Sequence, residues 1–206
     1  MDILPPLEVL KNSSMREELT SVIDFYLEDS FPREDAIRSV GPHLSVVEKT
    51  KGTILIEEGS YHNYAYFLLE GVVRSYYLKE GTEVNIWFAF EEEMLGSLQN
   101  YVGKPSNLSV ELLEDCTFIS LQLDSLREAA KSDLILNVFI RKIIEEYAEF
   151  LEERLFGYQH MSSMDRYNHL LETDKKVLER VSLTHVASYL GMSRETLSRL
   201  RGKRTL

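Results

Sequence analysis

A single cysteine, Cys116, stands among the 206 residues. One thiol excludes an intramolecular disulfide, a four-cysteine zinc site and an iron–sulfur cluster held by the chain's own thiolates. Cys116 reads as a small buried residue rather than a nucleophile. The five histidines, His43, His62, His160, His169 and His185, are scattered without the spacing of metal or haem ligands, and no cofactor is expected. No stretch approaches the roughly 18 uninterrupted apolar residues of a membrane span. The opening MDILPPLEVL lacks the basic start and apolar run of a signal peptide. A cytoplasmic protein without a membrane partner is the expectation.

What the chain has is ordinary in bulk and uneven along its length. The 44% apolar and 28% charged content suits a globular protein with a sizeable core. The net charge of −11 argues against a nucleic-acid partner until it is divided. From Lys175 onward, eight Lys or Arg face only Glu179 and Glu195, a net of +6; residues 1–174 hold the remaining 15 basic and 32 acidic residues, a net of −17. That asymmetry is the footprint of one small module touching phosphate while the rest stays clear.

The basic end holds two short helices with a tight turn between them. Leu183, Val186, Ala187 and Leu190 make one apolar face at helical spacing. Gly191 suits a helix end that needs positive φ, and Ser193 is a good N-cap for the second helix. Leu197 and Leu200 anchor that helix and leave Arg194, Glu195, Thr196, Ser198, Arg199 and Arg201 outward. Such a helix suits major-groove reading. The alternative is a helical hairpin that closes a core and shows a solvated face.

Upstream, the apolar spacing predicts helices around Met15–Leu27 and Ala36–Val40, broken at Pro32 and stopped by Gly41–Pro42. From Leu44 to Leu123 the texture becomes short β runs with glycine turns, predicting strands over Thr53–Glu57, Tyr64–Leu69, Val72–Leu78, Val84–Phe90 and Cys116–Leu123 in a jelly roll or barrel. Tyr64–Phe90 holds no histidine, against a metal enzyme of the roll type, and no enzymatic activity is expected. Asp124–Lys131 reads as a short helix capped by Asp124. A long helix then runs from Leu134 to Tyr158 with two apolar stripes. Leu136, Ile140, Ile143, Tyr147 and Phe150 form one, assigned to dimerisation; Ile144, Ala148, Leu151, Leu155 and Tyr158 form the other. One stripe can lie on the β-domain and the other needs a partner, a second copy being the simplest; the alternative covers both within one chain. The fold expected is α+β: a β-roll with N-terminal helices over 1–131, a dimerisation helix over 132–158 and a helix-turn-helix unit over 159–206.

The order of β-roll, long helix and terminal helix-turn-helix resembles the Crp/Fnr family of bacterial transcription regulators. Lys51–Gly81 (KGTILIEEGSYHNYAYFLLEGVVRSYYLKEG) is similar to the start of that family's roll, and Val186–Leu200 (VASYLGMSRETLSRL) to its helix-turn-helix. With WFAF after the hairpin, the chain looks like the Bacteroidetes-type subgroup. The resemblance implies that Arg194, Glu195 and Arg199 touch base edges, with Ser193, Thr196 and Ser198 beside them. It implies double-stranded DNA with a palindromic operator, a second copy of the chain and RNA polymerase as partners. Two departures stand out. Gly202–Leu206 are too few for the family's β-wing, so Arg201, Lys203 and Arg204 are the candidates for phosphate contact. The cyclic-nucleotide members carry Gly-Glu-Leu, then Arg-Ser; here Ser97 follows Gly96, and Ser106–Asn107 stand near the Arg-Ser position. Without the arginine a buried phosphate would be uncompensated by several kcal/mol, so cyclic AMP and cyclic GMP are not the expected ligands. A different small-molecule effector near Arg74, Tyr76, Trp87, Gly96, Ser97, Ser106 and Asn107, or a pocket filled by the protein itself, are the alternatives. A ligand-binding or protein-interaction module whose helix-turn-helix does not bind DNA is the competing function.

Overall fold

The computed structural model describes residues 13–27 and 30–204. Two helices open it, α1 (Ser13–Leu27) and α2 (Arg33–Val40). Pro32, which has no N–H to give, stands at the N-cap of α2, and Gly41–Pro42 lead through one 3₁₀ turn into the strands.

The strands are β1 (Leu44–Lys49), β2 (Ile54–Ile56), β3 (Tyr64–Glu70), β4 (Val73–Lys79), β5 (Thr82–Ala89), β6 (Met94–Leu95), β7 (Ser109–Leu112) and β8 (Cys116–Gln122). They form two antiparallel sheets in the orders β1–β8–β3–β6 and β2–β7–β4–β5. The alternation of strand side chains divides the apolar residues between two cores. Tyr66, Leu68 and Phe118 of the first sheet meet Val73, Ala89, Val110 and Leu112 of the second inside the roll. Phe67, Ile119 and Leu121 point the other way, onto α1, α2 and the long helix.

The turns follow local chemistry. Lys79 pairs with Thr82 across Glu80–Gly81, whose φ values of 52° and 79° make the two-residue hairpin turn that matches strand twist. Gly71 has φ 112°, and a Cβ there would lie 2.5 Å from the Cys116 sulfur and 2.7 Å from the Asp115 carbonyl oxygen. Cys116 is buried, as its lone thiol suggested, and burial pushes its pKa up to about 11.

Within the roll, three strands and a helix lie outside the expected set. β1 reads LSVVEK, with most of its residues half-buried, so it lacks a period-2 signal; its pairing with β8 from Leu44↔Leu121 to Lys49↔Cys116 makes it a strand. β6 and β7 are held by pairing in the same way, and the single turn α3 (Leu98–Tyr101) follows β6. A correction concerns Asp124. The short helix α4 runs Leu123–Ala129 with Gln122 at its N-cap and no side-chain cap bond. The Asp124 amide donates to Asn63 Oδ1 at 3.0 Å and its carboxylate pairs with Arg127, so a loop distant in sequence does the capping work.

The long helix α5 spans Leu134–His160, about 40 Å at 1.5 Å per residue. Asp133 Oδ1 accepts from the Ile135 and Leu136 amides at 2.8 and 3.1 Å, satisfying two orphan donors of its first turn. The stripe assigned to dimerisation is turned inward. Leu136 and Ile140 are buried in the helix–sheet core, with Ile143 packed against it, and Phe150 sits edge-on to Trp87 at 6.2 Å. Tyr147 and Phe150 face the same chain's sheet and terminal helices across a cavity. Of the second stripe Ile144 also packs against that core; what stays uncovered is its later part, Leu151 and Leu155 at 42% and 60% exposed, with Phe156 beside them at 60%. The side chain of Tyr158 lies outside the described residues.

Four helices close the chain: α6 (Ser163–Thr173), α7 (Lys175–Arg180), α8 (Leu183–Tyr189) and α9 (Arg194–Arg204). A reciprocal capping box of Ser162 and Asp165 starts α6. Their apolar faces form a third core with Phe88 of β5 and with Val72 and Phe90, which flank β4 and β5.

Candidate nucleic-acid interface and junction cavity

Ser182 Oγ accepts from the His185 amide and starts α8. Its end is bonded Met192 N to Ala187 O at 3.0 Å across Gly191, which sits at φ 66°. A left-handed glycine reverses the chain here without a Cβ penalty. Ser193 Oγ then accepts from the Thr196 amide at 3.2 Å and begins α9. Val186, Ala187, Leu190 and Leu197 are buried in the third core, with Leu200 packed against it.

The opposite side of α9 is the candidate interface. Ser193, Arg194, Glu195, Ser198, Arg199 and Arg201 are exposed, and Thr196 is half-buried. Arg199 donates to the Glu195 carbonyl at 3.4 Å and to Thr196 Oγ1 at 3.3 Å, which lays the guanidinium along the helix. The Glu195 carboxyl is held below its ordinary value by its own backbone N–H and by Ser193, with Arg194 and Arg199 adding to the effect. Lys203 and Arg204 occupy the last turn of α9, and their side chains lie outside the described residues.

Arg74 is part of the seam between sheet and terminal helices rather than of a ligand pocket. It is buried on β4, with Nε donating to Glu111 at 2.7 Å and Nη1 to Glu83 at 2.6 Å. Nη1 also lies 3.3 Å from His185 Nδ1 on α8. His185 therefore accepts, and burial, with the Arg74 charge second, holds its pKa below the ordinary histidine value. Ser188 of α8 accepts from the Asn85 amide at 3.0 Å and donates to the Glu83 carbonyl at 3.1 Å. Arg180 of α7 adds a second clasp, to Glu91 at 2.7 Å and Glu114 at 2.5 Å.

The other residues expected at an effector pocket divide. Trp87, Gly96 and Ser97 line a cavity of about 400 Å³ where the three cores meet. Tyr76 lies under the Arg74 guanidinium, 4.1 Å from it. Ser106 is buried, but its hydroxyl donates to the Leu108 carbonyl at 2.7 Å, closing its own loop. Asn107 is exposed. Adjacency in sequence to a phosphate-site motif did not carry these residues to one place, because Arg74 faces out of the roll toward α8. The cavity brings in residues that sequence reasoning missed: Glu93, Glu146 and Asp174. Glu93 follows Glu92, which takes φ 74° in the turn between β5 and β6. No spacing signal marks these three, since each comes from a different element.

Residues 46–133 match the cyclic nucleotide-binding domain family. The match spans the two sheets and α4. FixK2 from Bradyrhizobium japonicum shares this fold at a TM-score of 0.65 and 24% identity, over 78% of this chain and 83% of that one. Catabolite activator protein from Thermus thermophilus gives 0.54 at 16%, over 88% and 85%. The c-di-GMP responsive global regulator CLP from Xanthomonas campestris gives 0.59 at 17%, over 79% and 87%. At these identities the likeness is one of fold. No curated protein sequence matches the chain. Among the described residues no helix is long and apolar enough to cross a membrane, and no three His, Cys, Asp or Glu side chains group as metal ligands.

Proposed function

We propose that the protein is a homodimeric, sequence-specific DNA-binding transcription regulator rather than an enzyme, with α8–α9 as a helix-turn-helix reader. The observation that carries this is α9 itself. Leu197 is fully buried while Arg194, Glu195 and Arg199 face outward from a capped N-terminal end. Arginine can bond guanine O6 and N7 bidentately and glutamate can accept from cytosine N4. The +6 charge of the terminal segment on a −17 body supports phosphate contact by this end alone. Resemblance of the chain order to Crp/Fnr regulators, and the fold shared with FixK2 and catabolite activator protein, support the same reading.

The roll is read as not taking cyclic AMP or cyclic GMP. Ser97 stands in place of the glutamate expected to hold the ribose hydroxyl, and its side chain caps α3 by accepting from the Asn100 amide. Ser106 is committed to its own loop. Leu151, Leu155 and Phe156 are the dimer stripe in this reading, because a second copy of α5 would bury them.

The test is in vitro selection of DNA by the purified chain. A two-fold motif with half-sites about 34–36 Å apart, and affinity falling steeply with salt, are expected. Arg199→Ala should cost about 1–3 kcal/mol at one base position and relax preference there. Enrichment of no motif, or binding that ignores salt, overturns the reading.

A further inference from the structure

The junction cavity lies where the roll core, through Leu95, meets the other two. Leu121 and Ile140, which line it, belong to the helix–sheet core, while Val177 and Tyr189 bring in the terminal helices. Its volume of about 400 Å³ falls within the size of small-molecule sites, about 300–1,000 Å³. Trp87, Tyr147 and Phe150 supply aromatic walls. Glu93, Glu146 and Asp174 bring carboxyl groups to it from the β5–β6 turn, from α5 and from the α6–α7 junction. Among the described residues the lining holds no Lys, Arg or His.

We propose that this cavity binds a hydrophobic organic cation, an aryl- or alkylammonium whose charged head meets Glu93 and Asp174 and whose apolar body lies against Trp87 and Phe150. The inference goes beyond the DNA reading and does not depend on it. A carboxylate or phosphate ligand would meet acidic groups and no cation in the lining. An ammonium gains both from those groups and from the negative faces of the rings. The surroundings of Glu93 agree. Burial pushes its carboxyl up to about 7, Asp174 and Glu146 add to the rise, and the Phe90 amide and Lys176 oppose it. Lys176 itself reaches toward Glu91 at 3.6 Å. Glu146 already accepts the Tyr26 hydroxyl at 2.5 Å, and burial raises the Asp174 carboxyl. The Arg154 guanidinium stacks on the Tyr189 ring at 3.8 Å and is not part of the lining.

The probes are phenylbutylammonium, phenylbutanol and phenylbutyrate, added to the full chain at about pH 8. Binding is read by calorimetry and by the emission of Trp87, the single tryptophan. The ammonium should bind about tenfold or more tightly than the alcohol, and the carboxylate most weakly. Lowering the pH to about 5.5, which protonates Glu93, should weaken the ammonium several-fold and leave the alcohol unchanged. Glu93→Gln should remove that pH dependence and most of the ammonium's advantage while retaining alcohol binding, which shows the cavity intact. Equal binding of ammonium and alcohol, tighter binding of the carboxylate, no response of Trp87 to any probe, or an undiminished preference in the variant overturns the proposal.

Discussion

Glu93 should make the protein less stable at neutral and alkaline pH than in acid, and Glu93→Gln should remove that loss. The side chain is largely buried, accepts one long bond from the Phe90 amide at 3.4 Å, and has its carboxyl raised from 4.5 to about 7, chiefly by burial. A raised folded value means that the folded state holds a proton which the unfolded state releases. The stability this supplies is therefore complete below about 4.5 and lost as the pH climbs through about 7. Over about 2.5 pH units at 1.36 kcal/mol each, the loss approaches about 3 kcal/mol near pH 8 and is a few tenths of a kcal/mol near pH 4.5. Glutamine keeps an oxygen for Phe90 and never ionises. For a chain of this length about 3 kcal/mol is worth about 6–12 °C in midpoint. Thermal unfolding of both proteins across that pH range should show the variant well ahead at pH 8 and level near pH 4.5. A shift of equal size at both ends, or a variant less stable at pH 8, would refute the electrostatic origin.

Gly71→Ala should cost about 3 kcal/mol or more in chemical denaturation, since its Cβ would meet the Cys116 sulfur and the Asp115 carbonyl at φ 112°. Gly52→Ala, at φ 79° with nothing within 4 Å, should cost only about 1–2 kcal/mol; equal losses would show that space at Gly71 is not the cause. Replacing Leu155 and Phe156 together by glutamate should halve the mass seen by light scattering without lowering the unfolding midpoint, whereas an unchanged mass would reject the exposed stripe as the dimer seam. His185, held below its ordinary value by burial and by Arg74, supplies stability that is complete above about 6.5 and lost as the pH falls through its lower folded value. His185→Gln, which can still accept from Arg74, should flatten that limb of the pH–stability curve, and an unchanged limb would remove His185 as its cause.

Much of the roll was legible because its strands alternate and its turns carry glycine. Tyr64–Leu69 and Cys116–Leu123 were placed to within a residue of β3 and β8. β1 was not, because LSVVEK has no clean alternation and owes its form to β8. The α9 face could be read in advance because its two leucines must go inward wherever the helix lies. Arg74 could not: it took the seam because Glu83, Glu111 and His185 meet there, and those come from β5, β7 and α8.

The sequence by itself determined the long helices and the alternating strands of the roll, where glycine turns them and which side of α9 stays exposed. Each of those depends on residues within a turn or two of one another. The tertiary structure decided which stripe of α5 is covered, since both are equally apolar and only the position of the sheet distinguishes them. It also decided that Glu93, Glu146 and Asp174 share a cavity walled by Trp87 and Phe150. Residues as far apart as Ala65 and Tyr189 are brought together there by the packing of three cores, and no local periodicity encodes that meeting.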